Sequence, residues 1–159
     1  MFLWFKLIHI LAVVVFLGNI SIGIFWKDIA DRSHDPRIMA HTIRGIILAD
    51  RLFTIPAIIV IVAAGVATAI AEQIPILGTG WILWAIILFV IAGLAFIPVA
   101  RLQRQLEAVA AEGARTGALD EAKYNAISSG WNLWGMIALL APAGAVILMV
   151  LKPALPAFH

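Results

Sequence analysis

Polar residues along this chain leave four long apolar runs: Phe2 to Trp26, Leu52 to Ala71, Trp81 to Ala100 and Trp131 to Leu151. Lys6, His9 and Asn19 interrupt the first. Each run approaches or exceeds the roughly 20 residues that carry a helix across about 30 Å of hydrocarbon. Backbone amides in lipid must be satisfied within the segment itself, and the runs lack the alternating polarity of barrel strands. The pattern predicts an all-α membrane protein, an up-down four-helix transmembrane bundle forming a single domain over 1–159. The first run has no basic start and no small-residue cleavage site. Lys27 and Asp28 follow it directly, so it reads as a permanent span.

Charge then orients the spans. The segment from Lys27 to Arg51 carries Lys27, Arg32, Arg37, Arg44 and Arg51, and that from Arg101 to Lys123 carries Arg101, Arg104, Arg115 and Lys123. The short link from Glu72 to Gly80 carries no Lys or Arg. The positive-inside bias places both long loops in the cytoplasm of a bacterial inner membrane and both termini outside. Trp26, Trp81, Trp84, Trp131 and Trp134 stand at span ends, where an aromatic belt is expected. The long loops read as helical extensions. Asp35-Pro36 is a start signal, with a capping carboxylate and proline at the first helical position. Arg101 to Glu112 is rich in helix formers, Glu112 to Gly117 reads as a turn, and Asp120 is a second start.

Composition narrows the function classes. The chain is 64% hydrophobic and 13% charged, with a mean hydropathy of +1.05. Soluble domains run at about 45–50% and about 25%. Disordered chains, nucleic-acid-binding domains and ordinary soluble enzymes are therefore excluded. With no cysteine there are no disulfides, thiolate metal sites or thiol nucleophiles. No zinc-protease motif, phosphate loop or serine–histidine–acid set is present, which argues against hydrolytic and nucleotide chemistry.

Ionisable groups at membrane depth are costly and point to function. His9 lies roughly 10 Å inside the outer end of the first helix, at about 1.5 Å per residue. A neutral imidazole there suits haem iron; the alternative is a ring bonded to a neighbouring carbonyl. Lys6, one turn earlier on the same face, either snorkels to the outer interface or pairs with an anionic group such as a propionate. Counted inward from the outer side, Ala63, Ala64 and Gly65 on the second span and Ala143, Gly144 and Ala145 on the fourth reach the level of His9. Small residues there permit close helix packing or leave room for a flat macrocycle. Met149 is a weaker second ligand for iron, or for copper together with His9. On the cytoplasmic side Arg37, His41, Arg44 and Arg51 share one helix face, either an anion, head-group or docking face or a solvated basic surface. Asp50 adjoins Arg51 at the membrane edge. Asn19, Thr54, Thr68 and Asn132 are candidates for bonds between helices, and Pro56, Pro98 and Pro142 for kinks.

The opening Phe5-Lys6-Leu7-Ile8-His9, with Gly18 further along, resembles a recurring first-helix pattern of small bacterial membrane families. These include the HemJ-type protoporphyrinogen oxidases and the CopD-type copper-resistance membrane domain. With Trp131-Asn132-Leu133-Trp134-Gly135 and Met149-Val150-Leu151-Lys152-Pro153, the chain most resembles a family of predicted bacterial integral membrane proteins of unknown function. The HemJ likeness implies a four-helix protein that binds haem b, with His9 in the place of the first-helix histidine. The lysine usual in the third helix of that family has no counterpart between Trp81 and Ile87.

Two expectations follow. The first is a haem b-binding membrane protein, a redox protein exchanging electrons with a quinone or porphyrin-like substrate, with His9, Lys6, Gly65 and Gly144 around the cofactor. The second is a non-enzymatic scaffold or accessory subunit, held in a homo-oligomer or a larger membrane complex. Membrane lipid is a partner in both, and nucleic acid in neither.

Overall fold

A computed structural model describes residues 2–158. Helix α1 spans Phe2–Arg32, α2 Pro36–Ala49, α3 Ile55–Ala71, α4 Gly80–Thr116 and α5 Glu121–Leu151. Between α2 and α3, Asp50–Thr54 form one turn of π-helix, so that α2, this turn and α3 make one continuous rod from Pro36 to Ala71. Four helices are thus long and apolar enough to cross a membrane, as the hydrophobic pattern predicts.

The helix starts follow the capping signals. The Asp35 carboxylate accepts from the Arg37 amide at 2.8 Å, with Pro36 in the first turn. Asp120 accepts from the Lys123 amide at 3.0 Å and opens α5. The expected turn at Glu112 to Gly117 moves: α4 continues through it to Thr116. It stops where Gly117 adopts a left-handed φ of 79° and donates to the Gly113 carbonyl. Arg115 bridges Glu112 one turn away, which suits helix better than turn.

The packing is uneven along the bundle. The larger core lies at the end of the two long loops, where Ala30, Met39, Ile43, Val99, Leu106, Tyr124 and Trp131 meet. A smaller core of Ala12, Phe16, Ala57 and Ile61 lies towards the termini. Short links favour antiparallel neighbours, and α4 and α5 do pack along one another. Among the described residues the backbones of α3 and α4 do not approach closely, although the link between them is short. Helix α1 takes the place beside α3, and α2 the place beside α4. Toward the termini α1 packs on α3 and α4 on α5, and Phe16 and Phe89 join the two pairs with ring centroids 5.8 Å apart. At the same end the tail folds back. The Phe158 amide donates to the Leu77 carbonyl at 3.2 Å and the Trp84 indole to the Pro156 carbonyl at 3.2 Å.

Candidate functional site

His9 points into the α1–α3 contact. Its Nδ1 lies 2.8 Å from the carbonyl oxygen of Ile61. A carbonyl only accepts, so Nδ1 carries a proton. In the neutral ring that leaves the Nε2 lone pair unused. A Cβ added at Gly65 would sit 3.1 Å from two atoms of the imidazole, so the ring rests on this glycine. Gly144 serves another contact, with Leu88 of α4. The two glycines at the level of His9 are thus not facing walls of one pocket. Lys6 reaches Glu72 at 3.7 Å, with both side chains partly exposed. Met149 stands on the last turns of α5, which packs chiefly on α4, whereas His9 lies between α1 and α3. Among the described residues no three His, Cys, Asp or Glu side chains cluster as a metal site.

Arg37, His41, Arg44 and Arg51 are all exposed, the last of them on the π-turn. Arg44 is partly neutralised, because its guanidinium bonds Glu107 of α4 at 2.7 Å.

Two polar clusters went unassembled in the sequence. The first surrounds Asp50, which is 7% exposed. Its Oδ1 accepts from Thr54 Oγ1 at 2.8 Å and from Asn19 Nδ2 at 3.1 Å, and its Oδ2 accepts from Gln103 Nε2 at 3.0 Å. Asn19 also donates to Thr54 Oγ1 at 2.8 Å. Three segments thus converge on one carboxylate, and every recorded donor is uncharged. The π-turn gives the local reason. Pro56 has no amide proton for the carbonyl four residues back, and the chain widens just before it, with the Ile55 amide bonding Asp50 O. Asp50 and Thr54 then both face inward while Arg51, Leu52 and Phe53 face outward. The i,i+4 spacing of Asp50 and Thr54 was a readable signal. That Asn19 and Gln103 share their level was not.

The second cluster sits nearer the long loops. Lys27, expected as a loop charge, is only 2% exposed. It pairs with Asp31, donates to Ser128 Oγ at 2.6 Å, and lies over the rings of Trp131 and Tyr124 at 5.0 and 5.7 Å. Tyr124 donates to the other Asp31 oxygen at 2.7 Å. Trp131, expected in the interfacial belt, is buried, and its indole N–H has no partner. Between the clusters runs a cleft of ≈ 30 Å³, bordered by Asn19, Asp50, Gln103 and Trp131.

Comparison with known proteins decides the family. A model of the predicted integral membrane protein family DUF2269 matches residues 3–153. The chain belongs to that family. That description agrees with the reading of the sequence, as do the chain's four long apolar helices. No curated protein and no solved structure matches the chain.

Proposed function

We propose that this DUF2269 protein binds haem b through His9 in a bacterial inner membrane, with its long loops cytoplasmic, and exchanges electrons with a quinone or porphyrin-like substrate. The observation that carries this reading is a half-buried histidine at membrane depth on α1; its bond to the Ile61 carbonyl also fits a purely structural ring, but it leaves Nε2 for a ligand. Histidines that ligate metals characteristically give their second ring nitrogen to a carbonyl or carboxylate, which orients the ring and raises the basicity of the other nitrogen. His9 is half-buried and oriented, so its ring in the neutral form would suit a haem ligand.

The chain's own residues have limited tasks here. Ile61 O holds the ring, and Gly65 gives it room. Lys6, in a long and partly exposed pair with Glu72, is free to exchange partners and bond an anionic substituent of the cofactor. The haem would supply one-electron chemistry.

The test is the absorption spectrum of the protein purified from haem-replete cells, and after addition of haem. A Soret band lost in His9→Ala is expected. A colourless wild type that takes up no added haem overturns the reading. A colourless protein that co-purifies with a larger membrane partner would support the scaffold or accessory-subunit reading instead, to which the exposed apolar face of α1, with Leu7, Leu11 and Val14, lends itself.

A further inference from the structure

The cleft beside Asp50 has the features of a small-ligand site that the haem reading does not use. Asp50 is buried, and its recorded partners are uncharged amides and a hydroxyl. It lies level with Asn19, seven residues inward from Trp26, or roughly 10 Å at 1.5 Å per residue. An acid at such depth is rare and expensive unless it is used. The second observation is independent. Trp131 is 3% exposed, its indole N–H has no partner, and it borders the same cleft. A buried donor without an acceptor is costly, and ordered water is the usual remedy. A volume of ≈ 30 Å³ holds one or two water molecules, and Asp50, Gln103 and Asn19 are the polar side chains beside Trp131 on its largely apolar border.

We propose that this cleft is a hydrated proton-binding site, in which Asp50 takes up and releases one proton through cleft water from the side of the long loops. On uptake a proton passes from water to a carboxyl oxygen, forming one O–H bond; on release it returns to water. Oδ2, with a single recorded bond from Gln103, has a lone pair for it.

A proton suits the site better than a metal cation. The amide nitrogens of Asn19 and Gln103 face the carboxylate, as for an anion or hydroxyl, and among the described residues Asp50 belongs to no group of three His, Cys, Asp or Glu side chains. The direction follows from the neighbouring cluster. Lys27 lies over the Trp131 ring, and its partner Asp31 is 27% exposed toward the loop end. The surrounding charges leave Asp50 without a counter-ion. On α1, Lys27 is taken by Asp31. On the π-turn, Arg51 is exposed, as are Arg101 and Arg104, which flank Gln103 on α4. Helix α5 contributes Trp131, and its Tyr124 is bonded to Asp31. The inner face of α2 presents the apolar Ile46 there.

The experiment is infrared difference spectroscopy of the full-length protein in lipid nanodiscs, without haem, between acidic and alkaline buffers. A carboxylic C=O band is expected that titrates as one proton, shifts in D₂O, moves on aspartate-selective carbon labelling, disappears in Asp50→Asn and changes frequency in Asp50→Glu. Trp131→Phe should slow its hydrogen exchange. The labelling result on wild type stands even if Asp50→Asn does not fold. The proposal fails if no such band titrates, if it persists in folded Asp50→Asn, or if it responds to sodium ions and not to pH, which would make the ligand a cation. The readout is independent of haem, so either proposal can fail alone.

Discussion

The side-chain amide of Gln103 on α4 donates to Oδ2 of Asp50 across the bundle, 3.0 Å away and 53 positions distant in the chain. This bond joins the π-turn between α2 and α3 to the longest helix, at a level where the remaining neighbours are largely apolar. Gln103→Leu would leave a buried carboxyl oxygen without its donor, at a cost of about 1–3 kcal/mol. Thermal unfolding in detergent should show a lowered midpoint. The Asp50→Asn, Gln103→Leu double variant should lose less than the sum of the two single variants, because the residues share a network. Additive losses would mean that the bond contributes nothing.

Lys27 offers a sharper contrast. Its ammonium is enclosed by Asp31, Ser128 and two aromatic rings, whereas Arg32 pairs with Asp28 where both side chains are more than half exposed. Lys27→Met removes the cation and leaves Asp31 with Tyr124 and a distant Ser128 hydroxyl. Breaking a pair of this kind costs about 3 kcal/mol, while Arg32→Ala should cost well under about 1 kcal/mol. Comparable midpoints for the two variants would show the buried cluster to be incidental.

Gly65→Ala is expected to push the His9 ring from its seat, since the new Cβ would lie 3.1 Å from two imidazole atoms. The ring must shift and its bond to Ile61 must lengthen. If His9 holds haem, added haem should bind more weakly, with an altered Soret position. Gly144→Ala meets Leu88 instead and should leave the spectrum unchanged. Equal spectral effects from both substitutions would argue against the assigned roles.

At the terminal end, Gly80 admits the tail. A Cβ there would overlap the Leu155 carbonyl, a backbone group that cannot rotate away. Gly80→Ala should therefore detach the segment after Lys152. Faster amide exchange at Phe158 and changed Trp84 fluorescence would report it, with a stability loss of about 1–3 kcal/mol from overpacking. An undisturbed tail would contradict the close approach.

The absence of cysteine makes the membrane orientation directly testable. Single cysteines at exposed Ser33 and Ala118 should be blocked by impermeant thiol reagents only when the cytoplasmic face is opened. One at exposed Gly78 should react in intact cells. The reverse pattern would invert the topology drawn from the basic loops.

Hydrophobic run length, the Asp35-Pro36 and Asp120 caps and the distribution of Arg and Lys are local properties, and each was legible by itself. They determine four helices, most of their ends and the expected sidedness, because lipid allows an apolar segment of that length little choice but a helix. His9 could be singled out for the same reason, though its partner Ile61 could not. The tertiary structure decided which helices touch and which polar residues share a level. It placed α1 against α3. It turned Lys27 and Trp131 from expected interface residues into core, and gathered Asn19, Asp50, Thr54 and Gln103 around one cleft. Such meetings depend on helix rotation and offset, which one wide turn before Pro56 is enough to reset. Hydropathy sums carry no information about rotation, so the inward face of each span emerges only when the helices pack.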